Sequence, residues 1–389
     1  MNGKHRKPED APTFDASVVE GAPPADTGSH EVERGPRELG GTGRTVLVTG
    51  ASGMLGEHVA ALLVTRGWRV RLLQRRHARL AEQVGVEEVL GSVADPDAVA
   101  RAVEGVDDVV HLAAKVSFAG DWDEFVLTNI TGTRVVLESA REAGAQNVVF
   151  VSSPSVVHAG VSIVGEPARP ADPEHARGDY ARSKAAAELL ALEADAPGFR
   201  VTAVRPHIVW GPGDTQLVER IVDRAGKGRL PLLDHGAALI DTTYVDNAAE
   251  AVVRALERIE WAHGRALVVT NGQPRTVAEL IGGMCRAAGV EPPTRRVPGK
   301  LARVAGRVIE KVWALRPGAD EPPMTEFLAE QLSTAHWFDQ QETREVLDWA
   351  PAVGIEEGFE RLAAHYRTHP LGAHDAPLPA TGSTAADRV

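Results

Sequence analysis

Cysteine is almost missing from this sequence, since Cys285 is the single one among 389 residues. One thiol cannot form a disulfide within the chain, and such sequences are typical of reducing compartments, so we expect a cytoplasmic location. No run of about 18 apolar residues occurs, which excludes a predicted transmembrane helix. Basic residues are fewer than acidic ones, and the formal net charge is −12. A basic face for nucleic acid is therefore not expected.

The two ends of the chain lack the apolar patterns of a folded core. Residues 1–43 are rich in Pro, Gly and charge and contain no apolar core of a signal peptide, and residues 368–389 have a similar composition. Such segments bury too little apolar surface to offset the entropy of ordering. We predict a disordered N-terminal extension over 1–43, a folded part over 44–367 and a disordered tail over 368–389.

The folded part alternates short apolar runs with helical stretches. "TVLVT", "RVRLLQ", "DDVVHLA" and "NVVFVSS" have strand length and are apolar on both faces, as in parallel sheets covered by helices. Alternating strands and helices predict an α/β fold with a doubly wound parallel sheet of the Rossmann type. We assign residues 44–205 and 237–275 to this nucleotide-binding domain. Residues 206–236 and 276–367 are expected to form a smaller, mostly helical substrate lobe.

A glycine-rich turn follows the first predicted strand, in "TVLVTGASGMLGEHVAALL". Gly50 suits a tight turn, Gly53 a close approach of backbone to a pyrophosphate, and Gly56 the packing of helix on strand. In this strand–turn–helix context the pattern predicts a dinucleotide site, with the phosphates at the helix N-terminus. Besides these glycines, the residues expected to contact the cofactor are Ser52, Met54 and Leu55.

The end of the second strand selects between the two nicotinamide dinucleotides. NAD sites usually carry an acidic residue there for the ribose 2′-hydroxyl. This chain has Gln74, Arg75 and Arg76 instead. Because guanidinium groups match the geometry of a 2′-phosphate, NADP(H) is the predicted cofactor. The alternative is that one or both arginines simply face solvent.

Tyrosine and lysine are scarce, with three and seven copies, yet Tyr180 and Lys184 stand four residues apart in "GDYARSKAAAE". On a helix this spacing places both on one face. An ammonium and an oxidised nicotinamide would both favour the phenolate and so let Tyr180 transfer a proton near neutral pH. Either Ser152 or Ser153, at the end of the preceding strand, can supply a hydroxyl that orients the substrate.

Together these motifs resemble the extended short-chain dehydrogenase/reductase superfamily, and "RPHIVWGPGD" and "IDTTYVDNAAEA" resemble its 3β-hydroxysteroid dehydrogenase branch. The resemblance covers about residues 44–366. It implies that Tyr180 is the proton donor, Lys184 its partner and Ser153 the substrate-orienting hydroxyl, with Ser152 as the alternative. It also implies a support role for Asn129. The further cofactor contacts that it implies are Ala113, Ala114, Pro206 and Ile208, with Lys184 on the nicotinamide ribose.

A closer resemblance, carried by "VWGPGD", "TNGQP" and "DEPPMTEFLAEQLSTAHWF", is to the 2-alkyl-3-oxoalkanoate reductases of bacterial long-chain olefin biosynthesis. It implies NADPH-dependent reduction of an apolar β-keto acid to a 2-alkyl-3-hydroxy acid, and a partner enzyme that closes a β-lactone. A homodimer is the habit of the superfamily.

Several residues carry weaker signals for substrate contact. Lys115 can meet a substrate carboxylate or be a solvated lysine. His158 and His207 can approach the substrate or serve packing, and Trp210, where a tyrosine is common, can reshape the substrate mouth. No metal site is expected.

Residues 298–333 carry apolar positions at helical spacing: Leu301, Val304, Val308 and Val312. They predict a helix that packs on the substrate lobe, forms a lid over an acyl chain, or docks onto a partner enzyme or membrane surface.

Three other functions stay open on sequence alone. A 3β-hydroxysteroid or sterol-4-carboxylate 3-dehydrogenase would use the same catalytic residues in the oxidative direction. An NAD-dependent nucleotide-sugar epimerase or dehydratase also uses a Tyr/Lys pair, and would need basic residues in the second lobe. A non-catalytic module tends to lose that pair.

Overall fold

The computed structural model of the chain describes residues 37–83, 85–117, 120–158, 160–313 and 325–370. The predicted disorder of residues 1–36 and 371–389 lies outside these ranges. Residues 37–43, which the sequence assigns to the extension, contact the folded part. Arg254 and Arg258 bind the Glu38 carboxylate and lower its pKa to about 2. The predicted domain boundaries stay predictions.

The described strands are β1 (Thr45–Thr49), β2 (Arg69–Gln74), β3 (Val86–Leu90), β4 (Asp108–His111), β5 (Asn147–Val151), β6 (Ile163–Glu166), β7 (Arg200–Pro206), β8 (Val209–Trp210), β9 (Leu232–Leu233), β10 (Leu239–Ile240), β11 (Thr243–Tyr244), β12 (Ala266–Val269), β13 (Arg275–Thr276), β14 (Arg296–Val297) and β15 (His336–Phe338).

The described helices are α1 (Met54–Thr65), α2 (Pro96–Val103), α3 (Trp122–Phe125), α4 (Gly132–Glu142), α5 (Asp179–Glu193), α6 (Val218–Gly226), α7 (Val245–Glu257), α8 (Ile259–Ala262), α9 (Val277–Ala287), α10 (Gly299–Trp313), α11 (Glu326–Gln331), α12 (Gln341–Leu347) and α13 (Ile355–Thr368). A π-helical turn (Val126–Thr131) joins α3 to α4.

A seven-stranded sheet in the order β3-β2-β1-β4-β5-β7-β12 forms the centre of the fold, and its strand pairs are parallel. The predicted doubly wound Rossmann fold is confirmed. The predicted strands over 45–49 and 69–74 are confirmed residue for residue, because their apolar runs are bounded by Gly and charged residues.

Helices cover both faces of this sheet, which is why its inner strands are buried along their whole length. Every residue of β1, β4 and β5 is buried. The apolar faces of α1 and α7 form one core with one side of the sheet, while those of α2, α4 and α5 form a second core on the other side. Strands rich in apolar residues can be buried on both faces of a sheet in this way.

The strand order reverses between β1 and β4, which lie side by side with Thr49 opposite His111. Chain connections leave the sheet in opposite directions at this point, so a crevice opens above the carboxyl ends of the strands. The glycine turn after β1 and the segment after β4 both lie at this edge. The fold therefore places the dinucleotide candidate residues where open α/β sheets bind ligands.

A second group of elements comes mostly from the chain after β7, with β6 added from before it. A four-stranded sheet has the order β13-β10-β15-β6. A separate apolar cluster joins residues of α6, α9 and α13 around Trp210 and Tyr244. Cys285 of α9 is fully buried in this cluster, as expected for a packing residue.

Candidate functional site

The turn between β1 and α1 has room for glycine alone at two positions. Gly50 has φ +77°, and a Cβ there would lie 2.7 Å from the amide nitrogen of Ala113. A Cβ on Gly56 would lie 2.3 Å from the carbonyl oxygen of Gly50. Gly53, by contrast, meets nothing closer than 3.6 Å, so its outer side is open. The two glycines close the turn, and the third leaves space for a ligand.

The N-terminus of α1 begins directly after this open glycine, at Met54. The first amide groups of a helix have no partner within the helix and carry partial positive charge. Ser52 and Gly53 are exposed beside them, while Met54 and Leu55 are half-buried. Glycine clearance and free amides together fit the pyrophosphate of a dinucleotide.

Arg75 and Arg76 follow β2 and are both exposed, so their guanidinium groups are accessible at the adenosine end of this turn. Sequence analysis missed a carboxylate nearby. Glu88 of β3 accepts hydrogen bonds from the Gln74 side chain at 2.5 Å and the Ala78 amide at 3.0 Å, and it pairs with His77. Desolvation raises the pKa of Glu88, but these three contacts outweigh it and the pKa is lowered. Glu88 thus binds the loop that carries the arginines.

Tyr180 begins the first turn of α5 and lies within hydrogen-bonding reach of Ser153 after β5. Burial raises the pKa of the Tyr180 phenol to about 12, and the hydrogen bond with Ser153 offsets only part of this rise. The phenol is therefore protonated at neutral pH.

Ser153 Oγ also accepts from the amide and the hydroxyl of Ser155, at 3.2 and 3.0 Å. Ser152 is buried, and its hydroxyl has no hydrogen-bond partner among the residues that the structure describes. Of the two serines, the geometry brings Ser153 to Tyr180.

Lys184 lies one turn further along α5 and is 3% exposed. Its ammonium donates to the carbonyl oxygen of Val151 at 2.7 Å and lies 4.1 Å from the centroid of the Phe150 ring. Burial lowers the pKa of Lys184 to about 7, against the opposing effect of Glu188. The sequence argument expected an ammonium to lower the pKa of Tyr180. Desolvation instead has the larger effect on both groups.

Asn129 lies in the π-helical turn and connects the segment after β4 to α5. Its side-chain oxygen accepts from the Lys115 amide at 2.7 Å, and its Nδ2 donates to the Ser183 hydroxyl at 2.9 Å. Ser183 in turn donates to the carbonyl oxygen of Tyr180 at 2.9 Å. A π-helical turn is uncommon and is frequent at functional sites. The structure thus gives Asn129 the supporting position that the family resemblance implies.

A buried histidine, which sequence analysis passed over, extends this connection to the glycine turn. Thr49 Oγ1 lies 2.7 Å from His111 Nδ1, and His111 Nε2 lies 3.0 Å from Thr133 Oγ1. Burial and the charge of Lys184 lower the pKa of His111 to about 3, so the ring is neutral. The hydroxyl of Thr133 donates to the Asn129 carbonyl at 2.6 Å, which assigns the ring proton to Nε2.

These bonds connect neighbouring residues into one network, in which Asn129 accepts through its backbone carbonyl and donates through its side-chain amide. It begins at the Ala113 amide, which donates to Thr49 Oγ1 at 3.1 Å. It passes through His111, Thr133 and Asn129 and ends at Tyr180. The two halves of the candidate site are therefore held in register by buried, fully paired polar groups, which are rigid because a broken bond would leave an unpaired group in the core.

Beneath Lys184, Arg205 and Glu188 form an ion pair in which both side chains are fully buried. Arg205 Nε donates to one Glu188 oxygen at 2.8 Å, its NH2 group donates to the other, and its NH1 group donates to the Arg169 carbonyl at 2.7 Å. Such bidentate geometry compensates the cost of burying both charges. The Glu188 carboxylate of this pair is the group that opposes the effect of burial on the pKa of Lys184.

We expect Arg205→Met to lower the free energy of unfolding by about 3–5 kcal/mol, because it leaves the Glu188 carboxylate unpaired in the core. The double variant Arg205→Met, Glu188→Met should recover most of this loss. Urea unfolding monitored by circular dichroism measures both. A double variant as unstable as the single one would contradict the assignment of the loss to the unpaired charge.

The remaining cofactor candidates surround the same crevice. Ala113 and Ala114 follow β4 and are half-buried, and Pro206 is buried at the end of β7. Ile208 has φ +44°, which a β-branched side chain rarely adopts. Backbone strain of this kind occurs mainly at ligand sites.

Two of the weaker substrate candidates lie in ordinary structural contacts. Lys115 Nζ donates to Glu124 at 2.5 Å, and its side chain is 27% exposed. Trp210 is fully buried: its ring nitrogen donates to Thr242 at 2.8 Å, and its ring packs on Tyr244 and Phe359. The expectation that Trp210 shapes a substrate mouth is corrected, because the residue is part of the core.

His158 and His207 form a buried cluster with His336 of β15. The ring centroids of His158 and His336 are 4.8 Å apart, and those of His207 and His336 are 6.0 Å apart. Burial lowers the pKa of His207 to about 4 and that of His336 to about 3, and it also lowers the pKa of His158. Within the described ranges, no group of three or more His, Cys, Asp and Glu side chains is arranged to hold a metal ion.

Comparison with known proteins agrees with this geometry. Residues 46–270 match the NAD dependent epimerase/dehydratase family. The chain is 38% identical over 324 residues to the 2-alkyl-3-oxoalkanoate reductase of Stenotrophomonas maltophilia (strain K279a), which covers 82% of this chain and 98% of that protein. The chain therefore belongs to this family, the extended short-chain dehydrogenases/reductases, and the predicted resemblance is confirmed. It is a reductase or dehydrogenase of the family, whose members bind a nicotinamide cofactor.

Two further similarities are informative. The sterol-4-alpha-carboxylate 3-dehydrogenase, decarboxylating, of Mus musculus is 27% identical over 333 residues, covering 82% of this chain and 90% of that protein. The crystal structure of gox2253 superimposes with a TM-score of 0.67 at 26% identity, covering 84% of this chain and 98% of that one. Among the described residues, no helix is both long and apolar enough to span a bilayer.

Proposed function

We propose that this chain reduces the 3-keto group of an apolar 2-alkyl-3-oxoalkanoic acid to the hydroxyl, with NADPH as the reductant. The observation that supports this chemistry is the placement of the Tyr180 phenol within hydrogen-bonding reach of Ser153 and one helical turn before Lys184 on α5. The similarity to the 2-alkyl-3-oxoalkanoate reductase of Stenotrophomonas maltophilia supports the substrate class.

NADPH supplies a hydride to the carbonyl carbon when it is bound. The side chains of the protein supply the proton and stabilise the charge that forms. The Tyr180 hydroxyl gives its proton to the carbonyl oxygen as negative charge develops there, and Ser153 holds both that oxygen and the phenol in place. Lys184, fixed by the Val151 carbonyl, stabilises the phenolate that remains.

The same site would orient the cofactor from three sides. The glycine turn and the first amides of α1 would hold the pyrophosphate, and Arg75 and Arg76 the 2′-phosphate. Ala113, Ala114, Pro206 and Ile208 would border the nicotinamide, and Lys184 would hold its ribose.

We expect Arg75→Ala, Arg76→Ala to weaken NADPH binding by about 10- to 100-fold, because charge-assisted hydrogen bonds to the 2′-phosphate are lost. NADH binding should stay unchanged, since NADH has no 2′-phosphate. Fluorescence titration of the reduced cofactor measures both dissociation constants. Arg101→Ala, at an exposed arginine of α2, is the matched control. Equal affinities of the natural protein for NADPH and NADH would contradict the proposal.

The substrate class is tested by following NADPH absorbance with three compounds side by side: a 2-alkyl-3-oxoalkanoic acid, a 3-ketosteroid and a UDP-sugar. We expect turnover with the first. Turnover with the steroid alone would favour the second candidate, a sterol or 3β-hydroxysteroid 3-dehydrogenase, which the likeness to the mouse enzyme supports. If the β-keto acid is the substrate, we propose that the hydroxy acid passes to an enzyme that closes it to a β-lactone in long-chain olefin biosynthesis.

A further inference from the structure

Helix α10 buries Ala302 and Gly306 on one face and exposes three bulky apolar side chains on another, the reverse of an ordinary surface helix. Leu301, Val304 and Val308 are 63%, 60% and 57% exposed. Their spacing of three and four residues places them on one face of the helix. The sequence pattern predicted a helix here, and of the four residues that define it, the side chain of Val312 lies outside the described part. The described stripe of Leu301, Val304 and Val308 is called the apolar stripe below.

The packing of α10 explains why this face points outward. Ala302 is buried with Leu233 and Ala329. A Cβ on Gly306 would lie 2.6 Å from the amide nitrogen of Glu326, so α10 approaches the start of α11 too closely for a larger residue. The contact between these helices therefore needs small side chains. Rotating α10 to bury the apolar stripe would force bulky residues into this gap.

A row of cations runs along the helix beside the apolar stripe. Lys300, Arg303 and Arg307 are spaced by three and four residues, and the sequence continues this register at Lys311. Lys300 is exposed, and Arg307 remains 62% exposed although it donates to Glu326 at 2.5 Å. The helix contains four cations and one acid, Glu310, in a chain whose net charge is −12. The positive charge is thus local to this helix.

We propose that α10 docks onto the surface of an anionic lipid bilayer, lying in the plane of the headgroups. An apolar stripe bordered by Lys and Arg is the arrangement by which amphipathic helices bind membranes: the apolar side chains enter the interface and the cations bind anionic headgroups. Because charge is screened over about 10 Å at 0.1 M salt, the local cations act on the lipid more strongly than the acidic remainder of the chain.

The charge pattern favours lipid over a second copy of the chain. A copy would bring a second row of cations to the same interface if the two stripes met, and like charges at an interface repel. An anionic bilayer instead offers opposite charge along the whole row. The proposal rests on the exposure and charge of α10, and it is independent of the reaction that the site catalyses.

The test is vesicle flotation of the full chain without cofactor or substrate. Vesicles of phosphatidylcholine are compared with vesicles of mixed phosphatidylcholine and phosphatidylglycerol. We expect the protein to float with the anionic vesicles alone. The triple variant Leu301→Ser, Val304→Ser, Val308→Ser should weaken partitioning by at least about tenfold. Lys300→Glu should weaken it by about fivefold or more.

Matched controls separate this effect from damage to the fold. Leu90→Ser removes a side chain of β3 that is 54% exposed, and Lys227→Glu alters a lysine of α6 that is 55% exposed. Both should float like the natural protein, and unchanged circular dichroism should show that the triple variant is folded. Failure of the natural protein to float, or equal flotation of the folded triple variant, would overturn the proposal. So would a triple variant that changes only the oligomeric mass, since the stripe would then be covered by a second copy.

Discussion

Tyr180→Phe should lower kcat for ketone reduction by about three orders of magnitude and leave the dissociation constant of NADPH unchanged. The substitution removes the hydroxyl that gives a proton to the substrate oxygen and keeps the ring that fills the space. Without that proton, the developing alkoxide has only the Ser153 hydroxyl to stabilise it. Single-turnover absorbance of NADPH measures the chemical step, and fluorescence titration measures binding.

The chain contains a suitable control for this experiment. Tyr366 of α13 also has a pKa raised to about 12 by burial, but it lies in the cluster around α6 and α9. Tyr366→Phe should keep the full rate. If Tyr180→Phe also kept it, Tyr180 would not be the proton donor, whatever the cofactor affinity.

The second large effect concerns stability in mild acid. Three buried histidines have pKa values lowered to about 3 or 4, namely His111 to about 3, His207 to about 4 and His336 to about 3, and the pKa of buried His158 is lowered as well. A free histidine titrates near 6.5, so below that pH the unfolded chain takes up protons that the folded chain does not. The stability is complete above about pH 6.5 and is lost as the pH falls toward these lowered values. Each group contributes a slope of about 1.4 kcal/mol per pH unit.

Urea unfolding between pH 7.5 and pH 5 measures how the free energy of unfolding changes with pH. The three groups together should give a slope of about 4 kcal/mol per pH unit at its steepest. Buried Asp214 and Asp241 have raised pKa values and act in the opposite direction, because the folded chain keeps their protons at pH values where the unfolded carboxyl groups have lost them, so they reduce the net slope toward acid pH. We expect His336→Leu to reduce the slope by about 1.4 kcal/mol per pH unit at its steepest. His175→Leu, whose side chain is 71% exposed, should leave it nearly unchanged. Stability that is flat with pH would show that these rings are not buried as neutral groups.

Local patterns in the sequence were enough to predict the Rossmann sheet and the placement of its main motifs. A five-residue apolar strand followed by Gly50 and Gly56 leaves few structural alternatives, because those glycines are needed wherever a helix starts tightly against a strand. Likewise, Tyr180 and Lys184 share a helix face as a consequence of helical geometry. The family could be recognised from these motifs because they combine local spacing with one known chemistry.

Other features depended on contacts between residues distant in sequence. Glu88 reaches the loop after β2 from the neighbouring strand, and Trp210 is buried by residues from α13, so neither position could be judged from its own segment. The choice between Ser152 and Ser153 rested on which hydroxyl meets a tyrosine some 27 residues away.

The sequence by itself determined the elements that depend on residue spacing within one segment. These are the buried strands, the glycine turn, the paired residues on α5 and the presence of helix α10. Tertiary structure decided what those elements face. It made His111 the centre of a buried hydrogen-bond chain, raised the pKa of Tyr180 by desolvation, and turned the bulky side of α10 outward because Gly306 packs against α11. A period in sequence reflects local backbone geometry, whereas burial, charge pairing and the choice of exposed face depend on packing between segments that only the folded chain brings together.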